Sequence, residues 1–383
     1  MRPISVVSIL SRLTERLVIS TFYTPTLTTF PALQNQFAYR PTSSTTAALI
    51  ALFDTVTSLL RTNPFVIVLS FDYSKAFDTL AHTSVATALS SVDLPDNIYN
   101  WSLDFLTARS HQTIFHGQQS SSAQISAGVI QGSVMGPTLF NLASSTLTPL
   151  SPANSFFKYA DDGYLVVPAN NSDSIPDELD HHQKWATAQN LKLNMAKTSE
   201  IVFYPKRSTS PPPPLNPGIT RVNQIKILGI LVDDKLCFQS HINETIKNCT
   251  QALFALMTLR HQGLTEESLQ LTFSSKVLSK LTYASPAWWG FISEEAKCQL
   301  EAFIRKACRF NYYSPSKPSF HQLVATLESN LFHSITTNPH HCLHPLLPPL
   351  KTSHYNLRNR GHNYSLPTKD DRNFINRLLF RLM

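Results

Sequence analysis

One short segment constrains this chain more than any other: Phe157-Lys158-Tyr159-Ala160-Asp161-Asp162-Gly163-Tyr164-Leu165-Val166-Val167. It reads as two short strands around a tight turn that carries adjacent carboxylates. Two like charges side by side are costly, because each carboxylate disfavours ionisation of the other. A dication reverses that cost, and hard oxygen ligands suit Mg²⁺. Asp-Gly is also a strong hairpin signal, so Asp162-Gly163 taken alone reads equally well as nothing more than a turn.

Two further segments bear on that choice. Phe65-Val66-Ile67-Val68-Leu69-Ser70-Phe71-Asp72 is a continuous apolar run ending in an acid, the pattern of a buried strand. Val129-Ile130-Gln131-Gly132-Ser133-Val134-Met135-Gly136-Pro137 is a glycine-punctuated turn, where backbone can approach a ligand closely. The coarse pattern around them is mixed. Helices are expected near Ser74, over Ile98 to Leu106, after Gly136-Pro137 and from about Ile175 to Gln189. A hairpin is expected over 113–127, and strands at Ile201 to Tyr204 and Ile225 to Val232. The run Ser210-Pro211-Pro212-Pro213-Pro214-Leu215-Asn216-Pro217-Gly218 reads as a stiff, exposed loop between strands. From His241 the apolar spacing becomes that of an amphipathic helix. More helices are expected over 265–310, whereas 311–370, rich in Pro, His, Asn and Ser, reads as irregular until Asn373.

With 383 residues, 42% hydrophobic and 15% charged, the chain is globular and large enough for two or three packed subdomains. No apolar run approaches the roughly 20 residues of a membrane span, and the N-terminus lacks a long apolar leader. An intracellular protein, nuclear or cytoplasmic, is therefore expected, with no secretion and no membrane partner. The five cysteines form no CxxC pair and fit reduced thiols better than a disulfide framework or zinc finger. The cluster His340-His341-Cys342-Leu343-His344 is isolated and carries no metal expectation. Of the net charge of +7, the segment from Lys297 onward holds twelve Lys/Arg against four Asp/Glu, or +8. A basic tail suggests a polyanion, nucleic acid first; a solvated surface is the even alternative.

Taken together, Asp72 at a strand end, the Gln131-Gly132 turn and Asp161-Asp162 resemble the reverse transcriptases of non-LTR (LINE-type, jockey-like) retrotransposons. Further landmarks keep the expected order: Arg2-Pro3-Ile4-Ser5, Gln36-Phe37-Ala38-Tyr39-Arg40, Leu193-Asn194-Met195-Ala196-Lys197-Thr198, Leu228-Gly229-Ile230-Leu231-Val232-Asp233 and Leu281-Thr282-Tyr283-Ala284-Ser285-Pro286-Ala287-Trp288. Each alone is weak; their order is specific, over about 1–290. The resemblance implies an α+β right-hand polymerase with partial fingers (1–63), an antiparallel-sheet palm with a fingers insertion (64–240), a helical thumb (241–310) and a basic C-terminal region (311–383).

It further implies RNA-directed DNA synthesis with two Mg²⁺ ions, or Mn²⁺ in their place, using an RNA template, a DNA primer and dNTPs. Asp72 and Asp161 would bridge the metals, Asp162 would complete the shell, and Tyr73 would offer its backbone carbonyl. Phe77 would exclude a 2′-hydroxyl; a core phenylalanine is its plain alternative. Gln131 and Gly132 would lie near the template base and incoming nucleotide. Lys197 would protonate the departing pyrophosphate, or stand as a solvated loop lysine. Arg12, Arg16 and Arg40 are candidates to hold the triphosphate. Asp78, Asp233 and Asp234 fit turn or capping roles, and Trp288 and Trp289 fit a core. Against the family pattern the chain starts at Arg-Pro-Ile, Ala38 replaces a usual glycine, and Asn141-Leu142-Ala143-Ser144-Ser145 interrupts an apolar run. An N-terminally truncated copy is expected, with a catalytically silent nucleic-acid-binding remnant as the alternative to an enzyme.

Overall fold

The computed structural model describes all residues except 1–4, 29, 207, 209, 210, 217, 352–361 and 383. The landmark Arg2-Pro3-Ile4, and Arg358 and Arg360 of the basic tail, lie outside the described residues. The chain divides into two compact units. The first comprises Met1–Ser44, Val66–Glu200 and Pro211–Arg221; the second comprises Thr45–Phe65, Ile201–Ser210 and Val222–Met383.

The first unit is organised by strand β1 (Val66–Phe71), buried at every position but Ser70. Tyr73–Ser74 follows as β2, and the hairpin region carries β3 (Ser110–His111), β4 (Ile114–Phe115), β5 (Gln118–Gln119) and β6 (Ala123–Gln124). Then come β7 (Ser155–Tyr159), β8 (Asp162–Pro168), β9 (Lys192–Leu193), β10 (Ser199–Phe203, of which Ile201–Phe203 are assigned to the second unit) and β11 (Thr220–Arg221). The main sheet has the order β11-β10-β1-β8-β7. β1 pairs antiparallel with β8 from Val66↔Pro168 to Phe71↔Gly163, and β8 pairs antiparallel with β7 from Ser155↔Val166 to Tyr159↔Asp162. An apolar strand with neighbours on both sides is what a near-continuous Val/Ile/Leu run encodes. The expected hairpin is present, with β4 on β5 inside β3 on β6, and it is exposed throughout.

The proline run lies between β10 and β11, as its composition suggested. Arg221 holds it there. Its guanidinium donates to the carbonyls of Pro213 and Pro214 (2.7 Å each) and to Glu200 Oε1 at 2.7 Å, Glu200 being fully buried.

The second unit is mainly helical. Helix Thr45–Leu59 is buried from Ala47 through Phe53 without interruption, the mark of a helix enclosed on all sides. Phe53 meets Phe238 and Phe291 edge-on at 5.3 and 6.0 Å. The hairpin of β12 (Gln224–Ile227) and β13 (Ile230–Asp233) leads into helix Gln239–His261. Asp233 accepts from the amides of Lys235 and Cys237, which closes the turn after β13, one of the two roles expected of it. Trp288 and Trp289 are 1% and 4% exposed, which places both in the core.

One element contradicts the sequence reading. Residues 311–370 were expected to be irregular, yet Phe320–Thr337 is an 18-residue helix. Its start is a capping box, Ser319 with Gln322, and its buried face runs Phe320, Val324, Glu328, Phe332, Ile335. Averaging over the surrounding Pro, His and Asn hides that 3–4 spacing. The face also explains part of the basic tail. Fully buried Glu328 accepts from Arg377 and from Arg381 (2.8 Å), so two tail arginines serve internal pairing. In the His340–His344 cluster, His341 Nδ1 accepts from the Leu343 amide and His344 Nδ1 meets the Ile335 carbonyl at 2.8 Å. Among the described residues no helix is long and apolar enough to cross a membrane, and none of the five cysteines is in a disulfide.

Candidate active site

The site is built by strand register in the first unit. Phe71, the last residue of β1, faces Gly163, and Tyr73 in β2 faces Leu193 in β9. Asp72 stands between these pairs, its side chain 39% exposed and its carbonyl accepting from the Asn194 amide at 2.8 Å. The β1–β8 ladder ends at Phe71↔Gly163, so Asp72 follows the last paired residue of β1 and Asp162 precedes the first paired residue of β8. Asp161 occupies the adjoining turn, half-buried, with Asp162 exposed at the first position of β8.

The turn sits one residue earlier than an Asp-Gly hairpin would put it. Tyr159 pairs with Asp162, so the two loop residues are Ala160 and Asp161. Ala160 has φ +56°, a left-handed conformation that costs a non-glycine residue roughly 1–2 kcal/mol. Gly163 is a strand residue, and its glycine is demanded by packing: a Cβ there would stand 2.8 Å from the Phe156 ring. Asp162-Gly163 is therefore not simply a turn signal.

The third element is the loop after β9. Lys197 donates its amide to the Asn194 carbonyl, and Asn194 is tied to Asp72, so the loop is anchored at the strand end. Lys197 Nζ lies 3.7 Å from Asp72 Oδ2. Both groups face solvent, so the pair contributes only about 0–1 kcal/mol to stability. Among the described residues no three His, Cys, Asp or Glu side chains converge as a metal-holding group. The register gathers the carboxylate positions; Asp72 itself is turned to the lysine.

The remaining candidates are distributed around this centre. Tyr73 is buried against Trp185, and burial pushes its hydroxyl pKa up. The Phe77 ring stacks on Phe140 with centroids 4.3 Å apart and is half-buried, while its carbonyl accepts from Val129. Gln131 Nε2 donates to Asp78 Oδ1 at 2.6 Å, and Gly132 has φ +112°. Asp78 thus orients Gln131, a side-chain clamp where a turn or cap was expected. Arg12 and Arg16 are exposed one turn apart on helix Ile9–Val18. Arg40 directs Nη1 at the carbonyls of Leu33 and Gln36, closing the short turn Pro31–Leu33.

Four buried polar residues near these elements have roles that the sequence reading did not assign. Glu15, 1% exposed, accepts from the amides of Val134 and Met135 at 2.7 and 3.0 Å and so fixes the end of the Gln131 loop. Lys158 donates to the carbonyls of Ser144 and Leu147 at 2.8 and 3.1 Å, and burial pushes its pKa down to about 7. Gln36 Oε1 accepts from the Ala160 amide. Asn141 Nδ2 donates to the Ala38 carbonyl at 2.7 Å, so the two departures from the family pattern touch one another. The available signal was a lone polar residue inside an apolar run, as in Phe156-Phe157-Lys158-Tyr159.

Residues 1–232 match the family described as reverse transcriptase (RNA-dependent DNA polymerase). The chain is 25% identical over 323 residues to a probable RNA-directed DNA polymerase from transposon X-element of Drosophila melanogaster, covering 80% of this chain and 35% of that protein. It is 28% identical over 253 residues to the RNA-directed DNA polymerase from mobile element jockey of the same species, covering 63% and 28%. The chain thus spans about a third of the length of these relatives. Among solved structures, telomerase from Candida tropicalis in complex with a TWJ fragment of telomeric RNA gives a TM-score of 0.48 at 12% identity, over 87% of this chain and 51% of that one. With the family match over 1–232 and an α+β fold whose antiparallel strands carry paired carboxylates, the chain belongs to the reverse transcriptase (RNA-dependent DNA polymerase) family.

Proposed function

We propose that this chain adds deoxynucleotides to a DNA primer on an RNA template. The observation that carries the reading is the register of β1, β7 and β8, which supports a shared centre for Asp72, Asp161 and Asp162 beside the Lys197 loop. Reverse transcriptases use divalent metal ions, and carboxylates are the hard oxygen donors that Mg²⁺ takes. Two Mg²⁺ ions would be held by Asp72 and Asp161, with Asp162 and the Tyr73 carbonyl completing the shell. When bound, such ions make the primer 3′-hydroxyl a better nucleophile and neutralise charge on the leaving pyrophosphate.

The chain's own groups do the rest. Lys197 supplies a proton to the pyrophosphate oxygen. Gln131, clamped by Asp78, lies against the template base while Gly132 lets the backbone approach. Phe77, backed by Phe140, presents a rigid edge to the sugar and rejects a 2′-hydroxyl. Arg12 and Arg16 face the triphosphate, with Arg40 as a third candidate. Residues 64–240 would then be the palm, 1–63 partial fingers, 241–310 the thumb and 311–383 a basic C-terminal region.

The test is primer extension on an RNA template with the purified chain. Asp161→Asn should abolish extension and leave RNA binding intact; extension at the wild-type rate would refute the assignment. The rival reading, a silent nucleic-acid-binding remnant, draws on the Lys197 ammonium 3.7 Å from the Asp72 carboxylate. It predicts RNA retention without extension by the wild-type chain.

A further inference from the structure

The turn that carries Asp161 is held from outside its own hairpin. Segment Asn35-Gln36-Phe37-Ala38 runs along the edge of β7: the Lys158 amide donates to the Asn35 carbonyl, the Phe37 amide donates to the Lys158 carbonyl (2.8 Å each), and Gln36 bridges Lys158 in parallel register. The Phe37 and Phe157 rings stack at 6.2 Å. The far side of the strap is fixed to helix Gly136–Ser144 through Asn141 Nδ2 and the Ala38 carbonyl. Lys158 joins the same helix through the Ser144 carbonyl. At the centre is Gln36, 0% exposed, whose Oε1 accepts from the amides of Ala38 and Ala160 at 3.0 Å each.

Ala160 is the first of two loop residues, where the hairpin ladder offers its N–H no acceptor. It is also left-handed without being glycine, a conformation that persists only where surroundings over-determine it. The Gln36 side-chain Oε1 supplies both the acceptor and the constraint. The backbone of Ala160 sets where the next residue, Asp161, leaves the turn. We propose that Gln36 is a positioning residue for the Asp161 carboxylate, acting through its hydrogen bond to the Ala160 amide; its catalytic consequence rests on the polymerase reading above.

Two variants separate this from a packing role. Gln36→Met keeps the bulk and removes the acceptor. Gln36→Glu keeps an acceptor oxygen for the Ala160 amide and replaces Nε2, which has no hydrogen-bond partner among the described residues, by a second carboxyl oxygen. It is therefore compared at a pH low enough to keep the buried carboxyl protonated. The first readout is hydrogen exchange at the Ala160 amide in the full chain, by mass spectrometry with single-residue fragmentation. Gln36→Met should speed that exchange roughly tenfold or more, with the β1–β8 ladder amides unchanged, and Gln36→Glu should match wild type. The second is steady-state extension: Gln36→Met should lower kcat about 10- to 100-fold, with dNTP KM and primer–template Kd within about twofold, and Gln36→Glu should restore kcat. Wild-type exchange in Gln36→Met, or an unchanged kcat, overturns the proposal. If Gln36→Met fails to fold, Gln36→Glu decides: wild-type exchange and kcat support the assignment, and faster exchange or a lost kcat overturns it. A wild-type chain that extends no primer refutes the polymerase reading, and the exchange comparison then decides the strut by itself.

Discussion

Lys158 gives the fold a pH dependence that can be worked from the structure. Burial pushes its ammonium from the usual 10.5 down to about 7. Below pH 7 the lysine is charged in both folded and unfolded chains, and the fold bears the full cost of burying it. Between pH 7 and 10.5 the unfolded chain keeps a proton that the folded chain has released, so stability rises with pH. At about 1.4 kcal/mol per pH unit, wild type should gain roughly 2–3 kcal/mol between pH 7 and 9 relative to Lys158→Met. The variant also loses the donor to Ser144 and Leu147, but that offset is constant across the window. His182, which burial lowers to about 4, stays neutral in the fold throughout it. Groups such as Cys249, raised to about 11, cancel because both proteins carry them. The assay is urea unfolding of wild type and Lys158→Met at half-unit pH steps, followed by far-UV circular dichroism. Parallel stability curves would refute the reasoning, because they would mean that Lys158 folds as freely charged as it unfolds.

Other expectations follow from individual side chains. Phe77→Val should let rNTPs compete with dNTPs in an extension assay, and unchanged selectivity in an active variant would return Phe77 to packing on Phe140. Glu328→Ala strands Arg377, whose side chain is only 14% exposed, and should cost about 3–5 kcal/mol in unfolding free energy, more than Arg381→Ala at the 36%-exposed partner. Polyanion binding should fall to exposed cations, so replacing Arg305, Lys306 and Arg309 by Ala should make the salt dependence of RNA binding shallower by roughly 0.7–0.9 for each phosphate that is no longer neutralised, and Arg377→Ala should not. An unchanged slope after the triple replacement would put the RNA path elsewhere.

The strands beside the acidic residues were legible because strand patterns are local. An apolar run ending at Asp72, and a second broken by Asp161-Asp162, announce two strands with carboxylates at their ends. The order of landmarks supplied what no single one could. What was not legible is held by long-range hydrogen bonds to backbone. Glu15 reaches amides 119 and 120 residues away, and Gln36 reaches one 124 residues away; neither leaves a periodic trace. The tail misled for a different reason. Charge counting treats every arginine as surface, whereas Arg377 and Arg381 neutralise a buried glutamate, and Phe374, Ile375, Leu378 and Leu379 beside them are core residues. Removing 351–383 would therefore test folding before it tested RNA affinity.

The position of β1 within its sheet has a consequence for synthesis of the chain. β1 is complete at Phe71, and its partner β8 begins at Asp162, 91 residues later (162 − 71). At about 5–20 residues per second, roughly 5–20 s pass before that partner leaves the ribosome. Throughout that interval Val66-Ile67-Val68-Leu69 is an apolar, β-branched run with no ladder to join, the kind of segment that pairs with other chains. The Asp72 centre also waits for the Lys197 loop, so no nascent chain that stops short of it can assemble the site. Slower translation lengthens the exposure, and a chaperone that shields residues 66–69 would raise the yield of folded protein more than one acting on the later helices.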